Sequence, residues 1–351
     1  MDKTTIKANN CQLSALLLAW VITLSMCIAA DLSMDGAVRT GYGYENDGYF
    51  DLTTGKQVKD ASTLYIVVGQ LDIEAVVTDD ILAFMEIYGD INDLGFILRE
   101  AWIEFDAGKK KTLRIGSQKK DFSLEERSSR HDLRTIERSL SHRYMDSFHV
   151  LGYDWDIRFK RERERSENME RDLYVSMGID GDIRFFLLGT LEWEWPKRKV
   201  VVSLMPFLHN RHLPYGFAGS ALQFFNKRFY FTSELFVGID PHATRLSGII
   251  EEERFVYFIT PRVLGAYTKW AKFLRVFEGI EFVLGLSVLF DDAGYSQDAK
   301  MQAVPGVTLL FDQGRDAVWK TNVDLVFSNE RPDHVLVNQS LWVHTQLQVE
   351  W

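Results

Sequence analysis

The chain has 351 residues, of which 46% are hydrophobic, 13% aromatic and 26% charged. This composition excludes a disordered chain, which contains few aromatic residues, and a collagen-like polymer, which needs glycine at every third position. Acidic residues outnumber basic ones by 50 to 40, and the resulting net charge of −10 argues against nucleic acid as a partner of the whole chain.

Residues 1–30 have the features of a secretory signal peptide. Two lysines precede an apolar stretch from Leu13 to Ile28, and the small residues Ala29 and Ala30 follow it. A membrane anchor is the alternative, because the apolar stretch is nearly long enough to span a bilayer. The small residues followed at once by acidic Asp31 favour cleavage. Both cysteines of the chain lie in this segment, so the mature chain 31–351 would contain none.

Apolar and polar residues alternate through most of the chain after this segment. Between 183 and 195 most odd positions are apolar, and between 317 and 328 Trp319, Val323 and Leu325 alternate with polar residues. Successive side chains of a β-strand point to opposite faces, so each segment would have one apolar and one polar side. The alternation predicts about sixteen strands, at 34–45, 61–76, 80–90, 95–106, 111–118, 147–160, 171–179, 183–195, 198–208, 218–226, 228–239, 254–267, 273–290, 301–311, 317–328 and 337–351.

Strand length and aromatic positions favour a transmembrane barrel over a soluble β-sandwich. The predicted strands have about 9 to 15 residues, whereas soluble strands usually have about 5 or 6. Tryptophan and tyrosine cluster at strand ends, as in Trp193–Trp195 and Tyr267–Trp270, where aromatic girdles would meet the membrane surface. In hydrocarbon every backbone polar group needs a partner, so a spanning sheet must close on itself. We therefore expect 31–351 to form an all-β, transmembrane antiparallel β-barrel.

The predicted connections alternate between long and short. Short turns are expected at 78–79, 107–110 and 196–197, whereas the connection 119–146 is the longest. An even strand number with long loops on one side is typical of bacterial outer-membrane barrels. Sixteen strands enclose a lumen too wide for side chains alone to fill, so a water channel follows unless loops plug it.

Two stretches depart from the simple strand pattern. Residues 161–170 are long for a turn and indicate a hairpin extension, and 95–106 does not alternate cleanly.

The final strand, 337–351, alternates well and ends with Trp351. It resembles the C-terminal signal by which the assembly machinery recognises outer-membrane barrels, although an ordinary amphipathic strand is the alternative.

Residues 101–148 carry a family resemblance. The matching runs are a strand at Ala101–Phe105, a second strand at Ile115–Gln118, a Phe-Ser-Leu-Glu-Glu run at Phe122–Glu126 and an acidic-Arg-Ser step at Ile136–Leu140. This segment resembles the phosphate-selective porin O/P family of outer-membrane porins. The resemblance implies a trimer and a long loop that folds into the lumen and narrows it. Residues 119–146 would be that constriction loop.

The loop 119–146 is rich in basic residues, which are candidate anion-binding residues of the constriction. Rings of arginine and lysine favour anions in pores, and the guanidinium fork matches two oxygens of a phosphate. If part of the loop is helical, arginines at three- and four-residue spacing would share one face. The predicted site residues are Lys119, Lys120, Arg127, Arg130, Arg134, Arg138 and Arg143.

The same loop carries six acidic residues, so its arginines could instead attach the loop to the barrel wall. Glu126 lies four residues before Arg130, a spacing that forms a salt bridge on a solvated helix. Both roles are open at this point: the arginines set ion selectivity, or they fasten the loop.

Together these features predict a porin of the outer membrane that admits small hydrophilic solutes by passive diffusion, with a preference for anions and with phosphate as one candidate. The expected partners are outer-membrane lipid, small anions and further copies of the chain in a homotrimer. We expect no enzyme activity, no cofactor and no metal site, and the pair His209 and His212 is typical of solvated side chains. Two alternatives are a barrel-borne enzyme of the lipid hydrolase type and a soluble secreted β-sandwich that binds a ligand.

Overall fold

The computed structural model describes residues 31–51, 56–90, 95–108, 110–120, 122–128, 133–136, 138–146, 153–166, 169–179, 185–208, 215–239, 257–273, 276–290, 299–328 and 337–351. The predicted signal peptide, Arg130 and the histidines His209 and His212 lie outside these ranges. The expectations that concern them therefore stay predictions.

Sixteen antiparallel strands form one closed barrel, as the sequence predicts. Each strand pairs with its neighbours in the sequence, and β1 pairs with β16, so the sheet closes on itself and is not a sandwich. The strands are β1 (Asp31–Asp51), β2 (Lys56–Thr78), β3 (Ile81–Asp90), β4 (Gly95–Asp106), β5 (Lys111–Lys119), β6 (Tyr153–Ser166), β7 (Met169–Ile179), β8 (Phe185–Trp195), β9 (Arg198–Leu208), β10 (Tyr215–Phe225), β11 (Phe229–Ile239), β12 (Tyr257–Phe273), β13 (Phe277–Leu289), β14 (Lys300–Leu310), β15 (Ala317–Ser328) and β16 (Val337–Glu350).

The two faces of the barrel wall differ in polarity. On β13, Phe282 and Leu284 are about half exposed, whereas Glu281 and Ser287 on the other face are buried. The same alternation runs through the other strands, with apolar side chains on the exposed face. A polar inside and an apolar outside are the reverse of a soluble protein and suit a barrel surrounded by lipid.

The last strand closes the barrel against the first. Ala37 pairs with Glu350, and Gly36 and Trp351 exchange two backbone hydrogen bonds of 3.0 and 3.1 Å. Leu347 lies on the exposed face of this strand. The predicted alternation is therefore present, and the recognition of this strand by an assembly machinery stays a prediction.

Long and short connections lie at opposite ends of the barrel, as predicted. Residues 79–80 and 196–197 form two-residue turns at one end, which we call the tight-turn end. At the other end, the long-connection end, residues 120–152 join β5 to β6. The described part of this connection contains two helices, α1 (Leu124–Arg127) and α2 (Leu140–Asp146). In the described part of the chain, no helix is long and apolar enough to cross a bilayer.

A bulge explains why β4 does not alternate cleanly. Glu86 of β3 pairs with Glu100, but the next residue, Ile87, pairs with Leu98. Arg99 is therefore an extra residue in β4, and an extra residue shifts the faces of all side chains beyond it.

Several strand boundaries differ from the prediction, and one prediction of a longer hairpin is confirmed. The first hairpin is longer than predicted, because β1 ends at Asp51 instead of 45 and β2 begins at Lys56 instead of 61. β12 continues to Phe273 instead of ending at 267, because an irregularity in its pairing after Trp270 hides the alternation. β6 is described from Tyr153, and the predicted strand residues 147–152 lie outside the described ranges. β13 begins at Phe277 instead of 273. The stretch 161–170 is a hairpin extension, in which Arg163 pairs with Arg171.

Part of the inner wall is apolar, which the alternation did not predict. Near the long-connection end, a hydrophobic cluster joins strands β8 to β12 to the start of the loop. The ring centres of Phe122 in the loop and Phe236 on β11 are 5.7 Å apart. The buried members are Phe122, Phe186, Leu188, Met205, Phe217, Phe236 and Phe258. These side chains fill a part of the interior that we expected to hold water.

Candidate functional site

The start of α1 is fixed by a cap from its own sequence. Ser123 precedes the helix, and its hydroxyl accepts a hydrogen bond of 2.8 Å from the backbone N–H of Glu126. Serine suits this position because its side chain replaces the missing helical acceptor. The Phe-Ser-Leu-Glu-Glu run thus encodes one short helical turn.

A carboxylate of β11 accepts hydrogen bonds from two further backbone N–H groups of this turn, and an arginine of β12 pairs with that carboxylate. Glu234 Oε1 accepts hydrogen bonds from the backbone N–H groups of Leu124 (2.8 Å) and Glu125 (3.3 Å). The guanidinium of Arg262 on β12 lies between two side-chain carboxylates. It is 2.5 Å from that of Glu234 and 3.3 Å from that of Glu125. All three charged side chains are buried. The wall therefore presents a carboxylate to the positive end of the helical turn, an arrangement that stabilises it.

Glu125 and Glu126 tie α1 to the second half of the loop. Glu125 accepts hydrogen bonds from the backbone N–H (2.8 Å) and the hydroxyl (2.5 Å) of Ser139. Glu126 contacts both Arg138, at 3.1 Å, and His142. The expected partner of Glu126 was Arg130, which lies outside the described residues, so that pairing stays untested.

The protonation of these carboxylates follows from their partners. Burial would raise the pKa of Glu126, but the hydrogen bond with His142 and the charge of Arg138 outweigh it and lower that pKa to about 2. Burial would also raise the pKa of Glu125, but the charges of Arg262, His142 and Arg138 outweigh burial and lower that pKa. Both groups therefore carry negative charge at neutral pH.

Residues 133–140 contact two further strands, β14 and β15, through polar side chains of the inner wall. The backbone N–H of Ile136 donates to Asn322 of β15 (2.8 Å), and that of Leu140 donates to Gln302 of β14 (2.6 Å). Lys320 Nζ of β15 donates to the carbonyl of Leu133 (2.7 Å). The described parts of the loop thus contact strands from β11 to β15 in succession.

Each described arginine of the predicted site faces a carboxylate. The pairs are Arg127 with Glu192 of β8, Arg134 with Glu281 of β13 (2.7 Å), Arg138 with Glu126 (3.1 Å) and Arg143 with Asp324 of β15 (3.1 Å). The expectation of one shared helical face is wrong for these residues. Arg127 ends the four-residue helix α1, Arg134 lies in a non-helical segment and Arg138 precedes α2, because caps and wall contacts interrupt the helix.

The two predicted lysines lie where β5 leads into the loop. Lys119 Nζ donates to the carbonyl of Ser128 at 3.0 Å. Lys120 is completely buried, with its Nζ 4.9 Å from the centre of the Phe186 ring. Both side chains therefore take part in packing the loop against itself and against the wall.

Two cavities border the loop, and sequence reasoning missed most of their basic residues. One, of about 310 Å³, is lined by Arg134 and by Arg315 of the turn after β14. The other, of about 280 Å³, is lined by Glu104, Thr112, Arg114, Arg127, Arg158, Lys160, Tyr174, Glu192 and Lys199. The strand residues Arg114, Arg158, Lys160 and Lys199 all lie on predicted polar faces, which was the one signal that could have found them.

Gly116 permits the close approach of β4 and β5. Its φ of 146° is rarely adopted by residues with a side chain. A Cβ at this position would lie 2.2 Å from the carbonyl oxygen of Ala101 and 2.7 Å from the Cα of Trp102. The glycine of the Ile115–Gln118 run is therefore required by packing between the two strands.

A comparison with models of known protein families finds one match, at residues 83–171. This segment matches the family described as phosphate-selective porin O and P. It contains all four runs in which the sequence resembles that family. No curated protein sequence matches the chain.

Solved structures with the same fold are outer-membrane channels and porins, at low sequence identity. A loop-deletion mutant of OmpT, an outer membrane protein of Vibrio cholerae, is 9% identical, with a TM-score of 0.63 and coverage of 92% of this chain and 99% of that one. The outer membrane channel DcaP of Acinetobacter baumannii is 12% identical, with a TM-score of 0.62 and coverage of 92% and 97%. An anion-selective porin from Comamonas acidovorans is 8% identical, with a TM-score of 0.56 and coverage of 92% and 99%.

At these identities the structural likeness establishes the fold alone, and the family match concerns residues 83–171. Both indicate a channel rather than an enzyme. Residues 83–171 thus resemble the phosphate-selective porin O and P family, and the whole described chain has the sixteen-stranded barrel fold of outer-membrane porins.

Proposed function

We propose that this porin lets small hydrophilic anions cross the outer membrane by passive diffusion, with phosphate as one candidate solute. The observation that carries the proposal is the polar inner face of a closed barrel whose outer face is apolar. In such a barrel every backbone polar group of the wall is paired, so none is left unpaired in lipid. The polar inner face can line a water-filled path.

The loop 119–146 narrows this path. Support comes from its contacts with the inner face of consecutive strands, through Glu234, Arg262, Gln302 and Asn322. A segment that bonds to polar wall residues on both β8 and β15 occupies part of the lumen's cross-section. Its arginines have two roles in this account: they fasten the loop to carboxylates, and they add positive charge beside the path.

The preference for anions is supported by the side chains that line the two cavities. The 310 Å³ cavity is lined by Arg134 and Arg315, which also pair with Glu281, and by Glu350. The lining of the 280 Å³ cavity has five basic and two acidic residues, and further carboxylates pair with its cations from behind. Cationic side chains that line a water-filled path raise the local concentration of anions. The name of the matched family and that of the Comamonas porin agree with this direction.

Location and assembly follow from the same proposal. The chain would reach the outer membrane after removal of residues 1–30, and three copies would form a homotrimer. The apolar outer face, with exposed residues such as Phe282 and Leu284, supplies the surface for lipid and for neighbouring copies.

The ion preference can be measured as a reversal potential across a planar bilayer that separates two KCl concentrations. An anion-preferring pore passes chloride toward the dilute side, so that side becomes negative. A dilute side that becomes positive, or no potential at all, would contradict the proposal.

Arg134→Glu tests whether the loop contributes to this preference. The variant replaces a positive charge at the 310 Å³ cavity by a negative one, so the reversal potential should move toward zero. Arg171→Glu makes the same change on an exposed residue of β7 and should leave the potential as in the wild type.

A further inference from the structure

Basic side chains lie on the outer face of the barrel wall near the tight-turn end. Side chains of a strand face the same way at every second residue, so Arg171 shares the outer face of β7 with Met177, which is 57% exposed. In the same way Arg198 shares the outer face of β9 with Leu204, which is 59% exposed. Four exposed cations lie in such positions: Arg161 (β6), Arg171 (β7), Arg198 (β9) and Lys269 (β12).

Tryptophan side chains lie beside these cations. Arg171 is directly opposite Trp193 in the pairing of β7 with β8, and Arg198 is directly opposite Trp195 in the pairing of β8 with β9. Tryptophan is enriched where a membrane meets water, and arginine and lysine extend their charged ends from apolar surfaces toward water. Cations in this region therefore lie at the height of the lipid headgroups when the barrel is in a membrane.

The outward cations differ from the inner ones in their lack of a carboxylate partner. Within the described residues none of the four forms an ion pair, whereas their sequence neighbours Lys160 and Lys199 bind carboxylates of the inner face. Lys160 lies 3.1 Å from Glu162, and Lys199 lies 3.3 Å from Glu194. A charge close to hydrocarbon is costly unless an opposite charge accompanies it. The outward cations are therefore available to an anion outside the barrel.

The outward cations are confined to one arc of the wall, from β5 to β12, which we call the basic arc. Lys111 of β5 pairs directly with Arg161 and extends the row. The turns of this arc add further exposed cations, which are Lys110, Lys197, Lys227 and Arg228. In the described part of the remaining wall, from β13 to β4, no lysine or arginine lies on the outer face at this end, where Glu278 is found instead. The barrel therefore presents positive charge to the membrane on one side only.

We propose that the basic arc binds phospholipids with a net negative headgroup, such as phosphatidylglycerol, in preference to zwitterionic phospholipids. A guanidinium can bind two oxygens of the lipid phosphate with parallel hydrogen bonds. A zwitterionic headgroup carries its own cation, which competes for the phosphate, whereas phosphatidylglycerol carries none. The attraction of one basic side chain to an anionic lipid surface corresponds to about a fivefold preference. This inference rests on the proposed outer-membrane location and does not depend on which ions cross the pore.

The test is quenching of tryptophan fluorescence by brominated lipid in phosphatidylcholine vesicles that contain the full protein. Bromine on the acyl chains quenches nearby tryptophans, and Trp193 and Trp195 lie within the basic arc. At the same low mole fraction, brominated phosphatidylglycerol should quench the wild type at least about 1.5 times as strongly as brominated phosphatidylcholine. The net charge of −10 would by itself repel the anionic lipid, so such a preference requires a local site.

Arg161→Gln with Arg171→Gln and Arg198→Gln removes three cations of the basic arc, so the quenching ratio of the two lipids should fall toward one. Folding of each variant is checked by the heat-dependent gel mobility of the barrel. Arg198→Gln with Lys269→Gln serves as a second variant of the arc if the triple variant does not fold.

Lys56→Gln with Lys59→Gln and Lys300→Gln is the matched control, because it changes the net charge equally at the long-connection end. It should keep the quenching ratio of the wild type. Equal quenching of the wild type by the two lipids, or the same ratio in the arc and control variants, would overturn the lipid site. Such a result would leave the pore function intact. Quenching of the wild type by neither lipid would instead overturn the membrane location itself.

Discussion

At the scale of single residues, the buried carboxylates of α1 decide whether the loop stays attached. Glu126 is surrounded by Arg138 and His142, and its pKa lies near 2 instead of the usual 4.5. At about 1.36 kcal/mol per pKa unit, the difference corresponds to about 3 kcal/mol of stabilisation by the charged form. Because the folded-state pKa is the lower one, this stabilisation is fully present above pH 4.5 and is lost as the pH falls toward 2.

The loop should therefore loosen in acid, and Glu126→Gln should loosen it already at neutral pH. The variant removes the charge that neutralises Arg138, and breaking a buried pair from one side costs about 3 to 5 kcal/mol. Current noise of single channels, recorded between neutral pH and pH 2, measures the motion of the loop. Wild type should become noisy as the pH falls below 4.5, and the variant should be noisy throughout.

Glu74→Gln, the same change at an exposed carboxylate of β2, is the matched control and should behave as the wild type. Equal noise in Glu126→Gln and wild type at neutral pH would show that this carboxylate does not hold the loop.

At the scale of secondary-structure elements, the loop has an apolar anchor on β8 to β12 besides its polar contacts. Phe236→Ala would remove a buried ring that packs on Phe122, at a cost of about 3 to 5 kcal/mol. The loop should open more often, and trypsin should cut between 119 and 146 faster by more than about tenfold.

Phe231 is the control for this experiment, because it lies on the same strand with 39% of its surface exposed. Phe231→Ala should be cut at the wild-type rate. Slow and equal cleavage of both variants would mean that the apolar cluster is not what retains the loop.

The pairing of β4 with β5 depends on Gly116 and gives a second element-scale prediction. Gly116→Ala forces a Cβ against Ala101 in a strained backbone conformation, at a cost of about 1 to 3 kcal/mol. The temperature at which the barrel loses its compact gel mobility should fall. Gly189→Ala places a Cβ where no atom lies within 4 Å, so its transition temperature should match the wild type. Equal temperatures for both variants would contradict the packing role of Gly116.

Strands and their faces were predictable from the sequence, because alternation is a local property of the chain. The bounds of β4 and its broken alternation were both predicted, although the extra residue Arg99 that causes the break was not identified. The end of β12 was missed, and its pairing is irregular after Trp270. The apolar inner cluster was also missed, since alternation shows that two faces differ but not that Phe236 and Phe258 meet Phe122 across the lumen.

The candidate site was predictable only in part, for a related reason. The loop and its cations were identified by length and composition, but their partners are distant in the sequence. Arg134 meets Glu281, and Leu124 meets Glu234, through the closure of the barrel. Lys160 and Lys199 gave no signal beyond their polar faces, because their neighbourhood is created by the packing of β6 and β9 around one cavity.

At the scale of the whole molecule, a net charge of −10 coexists with basic cavities inside the barrel. Net charge describes the summed protein, whereas an ion in the lumen responds to the side chains within about 8 to 10 Å, the screening distance at physiological salt. An acidic protein can therefore have an anion-preferring path. The arrangement of charge, and not its total, sets the preference.

The central claim is that a continuous water-filled path runs through this barrel past the loop. Stepwise current increments in a planar bilayer that holds the purified protein test it most directly. We predict discrete steps whose size rises in proportion to the conductivity of the KCl solution, as it does when ions cross in bulk-like water. A folded, inserted barrel that leaves the bilayer without current steps at every salt concentration would contradict the account.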